Sequence, residues 1–136
     1  MRVDKLTLSA LEATLSIYLE PQRALKEIPV LAMLTQGIEQ LETRANSVVS
    51  ALRARGIDAE VSPSTASVGG GAFPTAEIPS RAVVIQDDAD RVEARLRHGE
   101  PAVIGRITDG KLLLDLRSVM PREDGALTTA IARARA

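Results

Sequence analysis

The chain has 136 residues, 45% of them hydrophobic and 26% charged, and 17 Lys+Arg against 18 Asp+Glu leave a net charge of -1. That is the balance of an ordinary folded domain, and it excludes a sequence-wide basic field for nucleic acid, so any RNA contact is a local patch or belongs to another part of a larger protein. The 1% aromatic content excludes base-stacking platforms, and with no cysteine and a single histidine, His98, disulfides, thiolate nucleophiles and Cys/His metal clusters are excluded too.

Along the chain, Leu8, Leu11, Leu15 and Tyr18 form an amphipathic stripe within MRVDKLTLSALEATLSIYLE. Thr7 or Ser9 is the expected cap, Ser9 with Glu12 fitting a capping box, and Pro21 ends the helix or begins the next turn. The pattern begins almost at the first residue, which hints at a missing upstream part. Pro21–Ile28 reads as a short helical turn and Pro29 as the first residue of the next helical segment, interrupted at Gly37. With Thr35 as its cap, a long helix then carries Ile38, Leu41, Ala45, Val48 and Leu52 inward and closes at Gly56. Its charged face (Glu39, Glu42, Arg44, Arg53, Arg55) reads as solvated.

The period changes to two at Ile57–Val61, a half-buried strand. Ser62–Pro79 reads as irregular, with glycines at 69, 70 and 71. No helix pattern or Lys-Ser/Thr follows them, so a strand kinked by bulges is expected in place of a nucleotide loop. Ser80–Gln86 is another strand. Asp87, Asp88 and Asp90 open a helix over Ala89–Arg97, where capping explains the acids better than a metal site does. His98 and Gly99 close that helix.

Ala102–Val119 carries the strongest signal. Val103, Ile104 and Ile107 form one strand, Leu112, Leu113, Leu114 and Leu116 the next, and Asp109-Gly110 between them suits a type I′ turn. Arg106 sits in the first of these strands, where a cation needs an anionic partner: a ligand, or an internal acid such as Asp115 or Glu60. A last helix spans Arg122–Ala136. The order predicts an α+β two-layer sandwich, a small antiparallel or mixed sheet with helices on one face. No apolar run approaches the ~18 residues of a membrane span and no signal peptide is visible, so the expected location is the cytoplasm.

Four phrases, RVDKLTLSALEATLSIYLEP, EIPVLAMLT, SVGGGAFP…IPS and PAVIGRITDGKLLLDLRSVMPRED, together resemble the C-terminal part of bacterial selenocysteine synthase, the L-seryl-tRNA(Sec) selenium transferase family. The resemblance implies the small domain of a fold-type-I pyridoxal 5'-phosphate enzyme that converts seryl-tRNA(Sec) to selenocysteinyl-tRNA(Sec) with selenophosphate as donor. It implies one C-terminal domain over 1–136, with residues 1–28 as lead-in helix and linker and 29–136 as the small α+β domain, the large cofactor-binding domain being absent. The Schiff-base lysine of such enzymes lies in that large domain, so Lys5 is a decoy, and Lys26 and Lys111 are no better placed. No cofactor is expected on this chain, and no activity from it alone.

Arg2 corresponds to what this chain keeps of an Arg-rich segment that the resemblance associates with the anionic selenium donor. Arg106 occupies the small-domain strand that sends an arginine to a substrate carboxylate in fold-type-I enzymes. An aminoacyl ester has no free carboxylate, so selenophosphate or a tRNA phosphate is the alternative anion. A homo-oligomer is expected, without a membrane. Competing readings are the small domain of a related pyridoxal-phosphate lyase, a free-standing α+β binding or oligomerisation module, and an inert remnant.

Overall fold

The structure is a computed structural model and describes residues 2–68, 73–86 and 88–136. The chain divides into two compact units, Met1–Gln36 and Gly37–Ala136.

The first unit is helical. Helix α1 (Lys5–Tyr18) is capped by Asp4, whose carboxylate accepts from the Thr7 backbone N–H at 3.0 Å and the Thr7 hydroxyl at 2.6 Å. Thr7 is thus the cap's donor and the first turn begins earlier than the Ser9 capping box predicts. The chain turns at Glu20 and again at Ile28, each the residue before a proline and each forced out of helical geometry. Between and after these breaks lie α2 (Pro21–Glu27) and α3 (Pro29–Leu34). Thr35 ends α3, its hydroxyl donating to the Leu31 carbonyl at 2.8 Å, and does not cap the helix that follows.

The second unit builds the sandwich. Helix α4 (Ile38–Arg53), N-capped by the Gly37 backbone alone, buries Leu41, Ala45, Val48, Val49 and Leu52. Gly56, at φ +73°, closes it as its left-handed conformation requires. Among the described residues the sheet has four antiparallel strands in the order β1-β2-β4-β3: β1 (Ala59–Val68), β2 (Phe73–Ile85), β3 (Arg106–Thr108) and β4 (Lys111–Asp115). Val83 and Ile85 of β2 and Leu112 and Leu114 of β4 meet α4, α5 (Ala89–Arg97) and α6 (Asp124–Arg135) in a single apolar core. The α+β two-layer prediction therefore holds.

Several local predictions do not. Ser62–Val68 and Phe73–Pro79 are paired strand, from Ser62↔Ala82 to Val68↔Phe73, with Pro63↔Arg81 and Thr65↔Pro79 inside the ladder. The prolines are tolerated because β1 is an edge strand and β2 pairs with β4 only over Ala82–Ile85. The predicted glycine kink at 69–71 and Asp87 lie outside the described residues. The turn of the β3–β4 hairpin is as predicted, with Asp109 at φ 51° and Gly110 at φ 72°. Its first strand is shorter, because the Val103 backbone N–H donates to the Leu96 carbonyl at the end of α5 and leaves the ladder. Leu116 is buried in a 3-10 turn (Leu116–Ser118), not in β4. A second such turn, Pro121–Glu123, delays α6 to Asp124.

The charged face of α4 is not simply solvated. Arg44 is buried and grips Asp124 with two hydrogen bonds of 2.9 and 2.7 Å, while donating to the carbonyls of Val119 and Leu116. Glu42 pairs with Arg81, and Arg53 donates to the Ala59 carbonyl at 2.8 Å. Arg44 thus joins the helix layer to the segment leading from the sheet.

Candidate functional site

Strand alternation that sends Leu112 and Leu114 into the core turns Lys111, Leu113 and Asp115 to the opposite face of the sheet. The pairings Arg106↔Leu113, Ala82↔Asp115 and Ser64↔Ser80 place Arg106, Ser80 and Ser64 on that same face. The same face also carries the apolar Ala82, Val84 and Leu113, so its polar groups stand among apolar ones.

Asp115 is the hub of this face. Its Oδ1 accepts from the Ser80 hydroxyl at 2.6 Å and from the Arg117 backbone N–H at 2.9 Å, and its Oδ2 accepts from the Ser64 hydroxyl at 2.7 Å. Arg106 lies across the face with Nη2 donating to Ser64 Oγ at 2.8 Å. It is exposed, and among the described residues this is its one hydrogen bond. A shallow depression of about 220 Å³, lined by Ile104, Gly105, Arg106, Leu113, Asp115 and Ser118, opens beside it.

The two internal acids proposed for Arg106 are otherwise engaged. Glu60 pairs with Lys111 at 3.4 Å, and Asp115 meets Arg106 only through Ser64. Gly105 does not make room for a ligand: a Cβ there would fall 2.5 Å from Leu112 Cδ1 and 3.1 Å from the Leu113 carbonyl, so strand β4 itself requires the glycine. Arg117, the other arginine of the region, is buried and donates to the Pro79 carbonyl at 2.6 Å, which makes it a tie between the 3-10 turn and β2.

Arg2 belongs to the first unit and is exposed just ahead of α1. Lys5 is the first residue of α1 and exposed, and Lys26 is exposed in α2. His98 is the exposed C-cap of α5. Asp88 is the N-cap of α5 by position, but its carboxylate pairs with Arg91 and caps no backbone N–H. No cluster of acidic or histidine side chains able to hold a metal occurs among the described residues.

Sequence reasoning found Arg106 but missed Ser64 and Ser80. The signal was present as the alternation of small residues through Ser62, Ser64 and Ala66, hidden by Pro63 and the assumption that proline ends a strand.

Fold and site together define a two-layer α+β domain with an arginine laid across the sheet face opposite its apolar core. The profile of the L-seryl-tRNA selenium transferase (SelA) family matches residues 1–120, and the chain belongs to that family. It is 39% identical over 138 residues to the L-seryl-tRNA(Sec) selenium transferase of Geobacter sulfurreducens, covering 96% of this chain and 30% of that protein. It is 41% identical over 140 residues to the enzyme of the same name from Moorella thermoacetica, covering 98% and 30%. With the one from Geotalea uraniireducens the identity is 41% over 138 residues, covering 96% and 30%. The chain thus spans about 30% of the length of the relatives it matches. Among the described residues no helix is long and apolar enough to cross a membrane.

Proposed function

We propose that the chain is the C-terminal small domain of a cytoplasmic, pyridoxal-phosphate-dependent selenium transferase that makes selenocysteinyl-tRNA(Sec) from seryl-tRNA(Sec) and selenophosphate. Its own contribution is the recognition of an oxyanion by Arg106, with Arg2 a second cation of the same kind. The observation that carries this reading is the state of Arg106 in a chain of this family: an exposed guanidinium held by one neutral hydroxyl, its charge not consumed by a carboxylate. The pyridoxal phosphate supplies the electron sink when bound. The lysine that anchors it lies in the part of the longer enzyme outside this chain, and Lys5 is not that lysine.

What the chain's residues do is bind and orient. An arginine presents donors in a fixed planar fork that matches phosphate-type oxygens, and it stays charged at every physiological pH. Held on a rigid sheet, Arg106 fixes where such an oxyanion sits relative to the rest of the enzyme. The uncovered leucines of α1, with Leu8, Leu11 and Leu15 each more than half exposed, support a chain that works inside a larger homo-oligomeric assembly.

The test is selenium transfer by the full-length enzyme. Arg106→Ala is expected to lower kcat/KM for selenophosphate or for seryl-tRNA(Sec) by about 10- to 100-fold, the size of a lost charge-assisted contact. An unchanged kcat/KM for both would remove Arg106 from substrate recognition. The 136-residue chain alone is expected to purify without pyridoxal phosphate, and a bound chromophore lost on Lys5→Ala would overturn the assignment of that lysine.

A further inference from the structure

We infer that Ser64 and Asp115 are positioning residues that hold Arg106 ready for its oxyanion. This rests on the reading of Arg106 as an anion contact and adds how the contact is prepared.

The direction of each hydrogen bond follows from counting protons. A serine hydroxyl has one hydrogen, and an ionised carboxylate only accepts. Ser64 Oγ lies 2.7 Å from Asp115 Oδ2 and 2.8 Å from Arg106 Nη2. Arginine only donates, so the Ser64 hydrogen goes to Asp115 and a lone pair faces Arg106. The polarity of the chain Arg106→Ser64→Asp115 is therefore fixed.

Its far end is fixed as well. Ser80, fully buried, donates to Asp115 Oδ1 at 2.6 Å, and the Arg117 backbone N–H donates to the same oxygen at 2.9 Å. Three donors from β1, β2 and the 3-10 turn thus lock the carboxylate, which locks the Ser64 hydroxyl, which holds one Nη2–H of Arg106. The other four N–H groups of the guanidinium are uncommitted among the described residues.

The interposed serine matters electrostatically. A direct Arg106–Asp115 pair would satisfy the cation and compete with any ligand. Through a neutral hydroxyl, the carboxylate orients the guanidinium without pairing with it. The gain is preorganisation: a long side chain that is already held loses less rotamer freedom on binding. The ligand class is a tetrahedral oxyanion of the phosphate type, small enough for the adjoining depression of about 220 Å³.

The experiment uses inorganic phosphate as the probe, at constant ionic strength, on the 15N-labelled 136-residue chain. The Arg106 Nε–Hε resonance is assigned by its loss in Arg106→Lys. The wild type is expected to show a saturable shift of that resonance. Ser64→Ala is expected to weaken phosphate binding about 3- to 10-fold and to broaden the free-state resonance, with an unchanged thermal midpoint. Ser64→Thr, which keeps the hydroxyl, is expected to restore both. If Ser64→Ala binds phosphate as the wild type does, the positioning role is overturned while the anion reading stands. If the wild type shows no Arg106 response, the anion reading fails and the positioning role with it. Equal loss in Ser64→Ala and Ser64→Thr with a lowered midpoint would reduce Ser64 to a structural residue.

Discussion

Helices α1 and α4 carry similar stripes of apolar residues and meet opposite fates. In α4 the stripe is closed into a core, with Leu41, Ala45 and Leu52 fully buried. In α1 no residue is buried, and Leu8, Leu11 and Leu15 remain 52%, 52% and 54% exposed. The difference teaches what periodicity does and does not specify. It marks the face of a helix that is to be covered, and it is silent about whether the cover lies in the same stretch of chain. In the second unit the sheet supplies the cover, and the leucines of α1 are left open.

The contrast can be broken hardest at Arg44. Its side chain is 9% exposed and meets Asp124 in a two-pronged pair, so Arg44→Ala removes the donors of the Asp124 carboxylate and of the Val119 carbonyl together. The expected cost is about 3–5 kcal/mol in a urea melt. A cost below about 1 kcal/mol, that of an ordinary exposed pair, would show that the two layers of the second unit do not depend on this tie.

A matched pair of truncations comes next. Leu52→Ala in α4 is expected to cost about 2–5 kcal/mol, because its cavity is enclosed on all sides. Leu11→Ala in α1 is expected to stay within about 0.5 kcal/mol in the monomeric chain, since it removes no buried contact. Equal effects in the two helices would mean that α1 is covered after all.

These elements also show how far the sequence could be read. The helices, the α+β class and the Asp109-Gly110 turn follow from local chemistry, because periodicity and the positive φ of a type I′ turn are written in consecutive residues. Arg106 was visible for a similar reason, as a charge among apolar strand residues. Its partner was not. Ser64 stands 42 positions away, in a stretch whose prolines suggest a loop, and only the register of β1 on β2 brings it to the same face. Arg44 was misread likewise: 80 residues separate it from Asp124, and a helix pattern assigns charged positions to solvent by default.

The smallest expected effect lies at the start of α1. Hydrogen bonds from the Thr7 hydroxyl, and then from the Thr7 backbone, hold the Asp4 carboxyl below the usual aspartate value. A carboxyl with a lowered folded pKa stabilises above its unfolded value and loses that contribution as the pH falls through the folded one. The Thr7 amide is therefore expected to lose protection, measured against its intrinsic exchange rate, as the pH falls below the ordinary aspartate range, while α4 amides keep theirs. Asp4→Asn, which keeps a capping acceptor without the charge, should remove this pH dependence.

The comparison rests most directly on native-state hydrogen exchange of the 136-residue chain, measured at a concentration where it is monomeric. Short isolated helices are marginal in water, so α1 amides such as those of Leu11 and Leu15 are expected to exchange through local opening. Those of Val48 and Val49 in α4 should exchange only through global unfolding, several orders of magnitude more slowly. Protection of α1 equal to that of α4 in the monomer would contradict the account, since a helix without cover has nothing to slow it.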